Sequence, residues 1–179
     1  MIMNAIVMLV LVFGGVWAQV LFPAFAPIGQ AKPPFLLAIV LYYALTRSPN
    51  TTLCAGFLAG MAHDVMTAVP LGYSSLVFVV VGVVVGRFRN LVLSESRLTA
   101  GFFGCVASLV TQLVLYAILL RSGAVWWPVG RLVVRILAGA ALAAVATPLT
   151  FMAARRFDQW VGNSEVREII DGIEQPIGR

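Results

Sequence analysis

Two stretches of this chain, Ile2 to Phe22 and Leu98 to Leu120, contain no charged side chain, and that continuity constrains the fold more than any single residue. About 20 apolar residues in a helix cross roughly 30 Å of hydrocarbon. Inside lipid every backbone N–H and C=O must find its partner within the protein, which leaves helices or a closed barrel. Barrel strands alternate apolar and polar residues, and these runs are continuous. Of the 179 residues, 61% are hydrophobic and 11% charged, where a soluble domain has about a quarter charged. A water-soluble fold of this size leaves roughly a third of its unfolded-chain area exposed, too much to cover with so few polar groups. The expected fold is therefore all-α integral membrane, a compact bundle of about six transmembrane helices.

Six segments are candidates for spans: Ile2 to Phe22, Pro34 to Leu45, Thr52 to Val65, Leu71 to Val85, Leu98 to Leu120 and Val129 to Met152. The second and third are short, which implies tilt, an interfacial position or a thinned bilayer. Trp17, Phe22, Phe25, Trp126 and Trp127 sit at segment ends, where aromatic residues favour the membrane interface. Ala24-Phe25-Ala26 resembles a cleavage site, but no basic residue precedes the run and Pro27 would follow the cut, so the first segment is expected to be retained. With the N-terminus inside, the inner connections hold Arg47, Arg87, Arg89, Arg97, Arg155 and Arg156, and the outer ones hold Lys32, Arg121 and Arg131. Basic residues favour the cytoplasmic side, so both termini are expected there. The bundle is expected to occupy residues 1–156, with a short cytoplasmic tail, 157–179, after it. In that tail Val166, Ile169, Ile170 and Ile173 have helical spacing among acidic residues, which suits either a short amphipathic helix or a solvated, disordered end.

The net charge of +5 comes from arginines flanking apolar runs, a pattern that points to membrane topology and anionic headgroups and away from nucleic acid. Cys54 and Cys105 lie inside apolar segments without metal-ligand spacing. A nucleophile with its base, paired carboxylates, a phosphate-binding glycine loop and a zinc pattern are all missing from the sequence. Neither an enzymatic activity nor a cofactor or metal is expected.

Residues 55–73 carry the most information. Gly56 and Gly60 share a helix face on which another backbone can approach closely, and Asp64 continues that stripe one turn on. Gly82 and Gly86 form a second such pair. A carboxylate at mid-membrane costs about 2.5 to 3.5 kcal/mol on insertion scales. Asp64 must therefore pair, with Arg131 and Arg135 as the candidate partners, or else reach outer water and cap the turn before Pro70. His63, the one histidine, lies about 100° around the helix from Asp64, so a catalytic pair between them has little support. The glycine face of Gly56 and Gly60 is the expected contact for a partner's membrane helix.

The arrangement Gly56-Phe57-Leu58-Ala59-Gly60-Met61-Ala62-His63-Asp64, then Pro70-Leu71-Gly72, resembles the rod-shape-determining MreD family. Met61 stands where many members of that family have Leu, and His63 where an apolar residue is usual; the glycines and the aspartate match. The resemblance implies a non-enzymatic subunit of the bacterial cell-elongation machinery in the inner membrane. Its implied partners are the bitopic scaffold MreC, the peptidoglycan polymerase and transpeptidase, and the actin-like filament protein. A second reading is the substrate-binding membrane subunit of an energy-coupling-factor vitamin transporter, which is similar in size and helix number. There the outer end, with Asp64, Trp126, Trp127 and Arg131, would line a pocket.

Overall fold

The computed structural model describes residues 2–22, 31–67, 70–88, 97–121 and 129–161. They form six helices: α1 (Ile2–Leu21), α2 (Phe35–Thr46), α3 (Pro49–Met66), α4 (Tyr73–Arg87), α5 (Arg97–Arg121) and α6 (Val129–Val161). Each matches one of the six expected segments. Two, over Thr99–Arg121 and Gly130–Val161, are long and apolar enough to cross a bilayer unaided; Ala5–Leu21, Phe35–Thr46 and Tyr73–Arg87 are shorter apolar helices. Trp126, Trp127, Arg89 and the tail from residue 162 onward lie outside the described residues.

α2 is the centre of the bundle. Its 12 residues, FLLAIVLYYALT, are apolar around the whole circumference, and a helix of that kind is stable only when surrounded. Every residue from Leu36 to Leu45 is buried, and α2 packs against each of the other five helices. Its length has a physical reason in this position: a helix sheathed by protein need not match the thickness of the hydrocarbon. The carbonyls at the end of α2 are capped by neighbouring residues. Arg47 N–H donates to the Tyr43 carbonyl at 2.9 Å, the Thr52 hydroxyl donates to the same oxygen at 3.1 Å, and the Thr46 hydroxyl donates to the Tyr42 carbonyl at 2.7 Å. The two threonine hydroxyls are second donors to carbonyls of the last turn, and Thr52 ties the end of α2 to α3. Pro49 then opens α3 at a position where a missing N–H costs nothing.

Around α2 stand two closely packed helix pairs, α3 with α4 and α5 with α6. Small residues allow both approaches. In the second pair, a methyl added to Gly101 would lie 2.8 Å from the Ala144 carbonyl oxygen. That oxygen is the one that Pro148, four residues on within α6, cannot serve because proline has no N–H. The glycine lets α5 come up against the carbonyl that the proline leaves without its helical partner. Gly82 and Gly86 of α4 are also used inside the chain. A methyl on Gly82 would meet Thr52 and Val40 at 3.1 Å, and one on Gly86 would meet the Ala44 carbonyl oxygen at 3.4 Å.

The apolar side chains left outside form continuous faces. Phe13, Trp17 and Leu21 of α1, Phe102 and Leu113 of α5, and Leu137 and Val145 of α6 are all exposed, as expected of surfaces solvated by lipid. α6 runs on past Arg156 to Val161, so Phe157, Asp158 and Trp160 belong to the bundle's last helix and not to a separate tail. The physical reason is that Asp158 is buried against Arg47, at the end of α2.

Candidate functional site

The residues of the sequence motif meet where α3 turns into α4. Gly60 makes the closest approach: a methyl there would lie 2.5 Å from the Ser75 nitrogen and 2.8 Å from the Ser74 carbonyl carbon, both main-chain atoms of α4. One turn earlier, a methyl on Gly56 would lie 3.1 Å from the Val79 Cα. The Ser75 hydroxyl donates to the Phe57 carbonyl at 3.2 Å between them. The glycine face expected to receive a partner's helix is therefore filled by α4 of the same chain. Two neighbouring helices in sequence have first claim on each other's small residues, because the short connection brings them together before any partner arrives.

Asp64 continues the stripe and is 2% exposed. Its Oδ2 accepts from Gly72 N–H at 2.7 Å and its Oδ1 from Ser74 N–H at 3.1 Å. The carboxylate thus sits on the N-terminus of α4, where two amides and the helix dipole favour negative charge. Pro70-Leu71-Gly72 shapes the approach. Gly72 has φ 99° and ψ −20°, the third-position geometry of a type II turn, in which glycine has no steric penalty. Tyr73 N–H donates to the Pro70 carbonyl at 3.5 Å and Leu76 N–H to the Gly72 carbonyl at 3.0 Å. Glycine, aspartate, proline and glycine together make one device that closes α3 onto α4.

His63 reaches the same first turn by another route. Its Nδ1 is 3.1 Å from the Ser74 hydroxyl, and its ring packs against Phe78 with centroids 5.5 Å apart. His63 and Asp64 leave α3 in different directions, and both end on Ser74, one at its side chain and one at its N–H. Across from this junction, Arg135 of α6 is within electrostatic reach of His63. Arg131 and Arg135 are both exposed on α6. Asp64→Ala is expected to cost about 1 to 3 kcal/mol, the penalty of leaving the buried Ser74 amide and the part-buried Gly72 amide without an acceptor. Asp64→Asn, which keeps one carbonyl oxygen, is expected to lose roughly half of that. Exchanging charge through Asp64→Arg with Arg135→Asp is expected to restore nothing, because a guanidinium cannot accept from the α4 amides. Thermal unfolding in detergent reads all three; recovery in the exchanged protein would assign Asp64 to the arginine instead of the helix end.

A second polar cluster joins residues that no sequence motif links. Arg47, at the end of α2, places its guanidinium 3.1 Å from Asp158 Oδ2, and the Tyr42 hydroxyl donates to the same oxygen. Arg47, Asp158 and Tyr42 are 4%, 7% and 1% exposed. Tyr42 also packs edge-on against Tyr43 and Phe151, with centroids 5.6 and 5.5 Å apart. Asp158 is the one acidic residue of α6, the only available signal, and its flanking arginines give it the look of a charged helix end. Among the described residues no group of three or more His, Cys, Asp or Glu is placed to hold a metal ion.

An all-helical apolar bundle whose motif residues are engaged in joining one helix to the next defines a small helical membrane protein. The chain belongs to the MreD family: the family model described as rod shape-determining protein MreD matches residues 1–151. It is accordingly a membrane protein of bacterial cell-shape determination. Neither the curated proteins nor the solved structures contain a match to the chain.

Proposed function

We propose that this chain is a non-enzymatic, multi-pass subunit of the cell-elongation complex in the bacterial inner membrane, holding the bitopic scaffold MreC and linking it to peptidoglycan synthesis. Membership of the MreD family over residues 1–151 carries this reading. The geometry of the motif suits this reading, since Gly56, Gly60, Asp64 and Gly72 are engaged in joining α3 to α4. Six spans with both termini in the cytoplasm fit the distribution of arginines. With the Gly56 and Gly60 face occupied, a partner's single helix must use an outward face. α1 offers the best one, because its principal contacts are with α2 and α3 alone. Phe13 and Trp17 are exposed there, and Gly14 between them has no atom within 4 Å of an added methyl.

The experiment places a photo-crosslinking residue at Phe13 or, as control, at Leu113 of α5, in cells that carry an export-dependent reporter fused after Arg179. A crosslink to the scaffold from position 13 with a silent reporter is expected. A crosslink from position 113 alone would move the interface to α5, and an active reporter would reject the six-span topology. Retention of a vitamin with an ATPase module in place of the scaffold would replace the function proposed.

A further inference from the structure

Along one side of α6, Leu149, Met152, Ala153, Arg156, Phe157 and Trp160 line an open groove. These positions recur at helical spacing, so they form one stripe. Leu149 is 56% and Trp160 85% exposed, and among the described residues no other helix contributes to the lining. The stripe changes chemistry along its length: aliphatic first, then a guanidinium, then two aromatic rings whose centroids are 6.4 Å apart.

Depth in the bilayer gives that order a meaning. Arg131 and Arg156 are 25 residues apart on α6, about 37 Å along the axis. That exceeds the roughly 30 Å hydrocarbon core and falls short of the roughly 40 to 45 Å spanned with headgroups. With Arg131 at one interface, Arg156 lies at phosphate depth at the other, Leu149 and Met152 at acyl depth, and Trp160 among the headgroups. The ends of α2 and α4 share this interface, since Arg47 contacts Asp158 and Gly86 abuts Ala44. The pairing of Asp158 with Arg47 fixes the rotation of the last turns of α6, and with it the outward direction of Arg156 and Trp160. Neither Arg155 nor Arg156 has an ion-pair partner among the described residues.

We propose that this groove is a binding site for an anionic phospholipid of the surrounding bilayer, with one acyl chain along Leu149 and Met152, the phosphate on Arg156 and the glycerol region against Phe157 and Trp160. The occupant follows from charge complementarity. An apolar partner helix would leave the guanidinium unpaired, whereas a phosphodiester pairs with it by charge-assisted hydrogen bonds.

The test uses the full chain with Trp17, Trp126 and Trp127 replaced by Phe, so that Trp160 reports alone, in vesicles containing brominated phosphatidylglycerol or brominated phosphatidylcholine. Quenching by the brominated anionic lipid is expected to show about fivefold preferential binding over the zwitterionic one, the contribution of one interfacial arginine. Arg156→Gln is expected to remove the preference and Arg156→Lys to keep most of it, with the circular-dichroism spectrum unchanged in both. Equal quenching by the two lipids in the parent protein would overturn the proposal. So would a preference that survives Arg156→Gln, or one that arises only when residues 162–179 are deleted, which would mean that the chain's own acidic tail occupies the groove.

Discussion

Asp158→Ala is expected to destabilise the protein by about 3 to 5 kcal/mol, because it removes the carboxylate that is ion-paired with the buried Arg47 guanidinium. Arg47→Ala is expected to do the same from the other side, leaving the carboxylate with the Tyr42 hydroxyl as its hydrogen-bond partner among the described residues. Tyr42→Phe removes one hydrogen bond to a charged group and is expected to cost about 1.5 to 3 kcal/mol. The informative variant is the double replacement Arg47→Met with Asp158→Leu. A buried ion pair replaced by well-packed apolar residues is often neutral or stabilising, so the double variant is expected to be more stable than either single one. Detergent-solubilised thermal unfolding measures the set. If Asp158→Ala melts with wild type, the pair is not formed in the membrane protein, and the assignment of residues 157–161 to the bundle fails with it. The contact joins the last helix to the central one, so its loss is also expected to make the end of α6 accessible to protease before the rest of the chain unfolds.

The second large effect is expected at Gly60. Gly60→Ala puts a methyl into the main chain of α4, 2.5 Å from the Ser75 nitrogen, where only movement of a whole helix relieves the clash. Overpacking a close-packed interior costs typically about 1 to 3 kcal/mol, occasionally more, and the upper end is expected here because the obstacle is backbone. Opening the α3–α4 contact also pulls Asp64 away from the Gly72 and Ser74 amides, so the two losses compound. Gly14→Ala is the control. It adds the same methyl to a helical glycine of the same bundle with nothing within 4 Å, and the higher helix propensity of alanine should leave stability equal or slightly raised. Accumulation in the membrane and melting temperature of the two variants decide the matter. Equal behaviour would show that α3 and α4 are not held together at Gly60.

Close-approach spacing in a membrane helix states that some backbone comes near, and says nothing about whose. In this chain the neighbour of Gly56 and Gly60 is the next helix, and the motif that looks most like a docking face is an internal joint of the fold.

The helical architecture was legible in the sequence because its cause is local and cumulative. Long uncharged runs commit the backbone to helix wherever lipid is the solvent, and Pro49, Pro70 and Gly72 punctuate them by fixed backbone preferences. The short reach from Asp64 to the turn before α4 was also within range of sequence reasoning, since donor and acceptor are 8 to 10 residues apart. What only the tertiary structure decided are the pairings between distant segments. Nothing in the hydropathy of α2 distinguishes a short lipid-facing span from a helix wrapped by five others; the difference lies in what surrounds it. Tyr42 and Asp158 are 116 positions apart, and no periodicity links them. A buried charge declares that it needs a partner through the cost of its desolvation, but the identity of that partner is set by which helix ends the packing brings to the same interface.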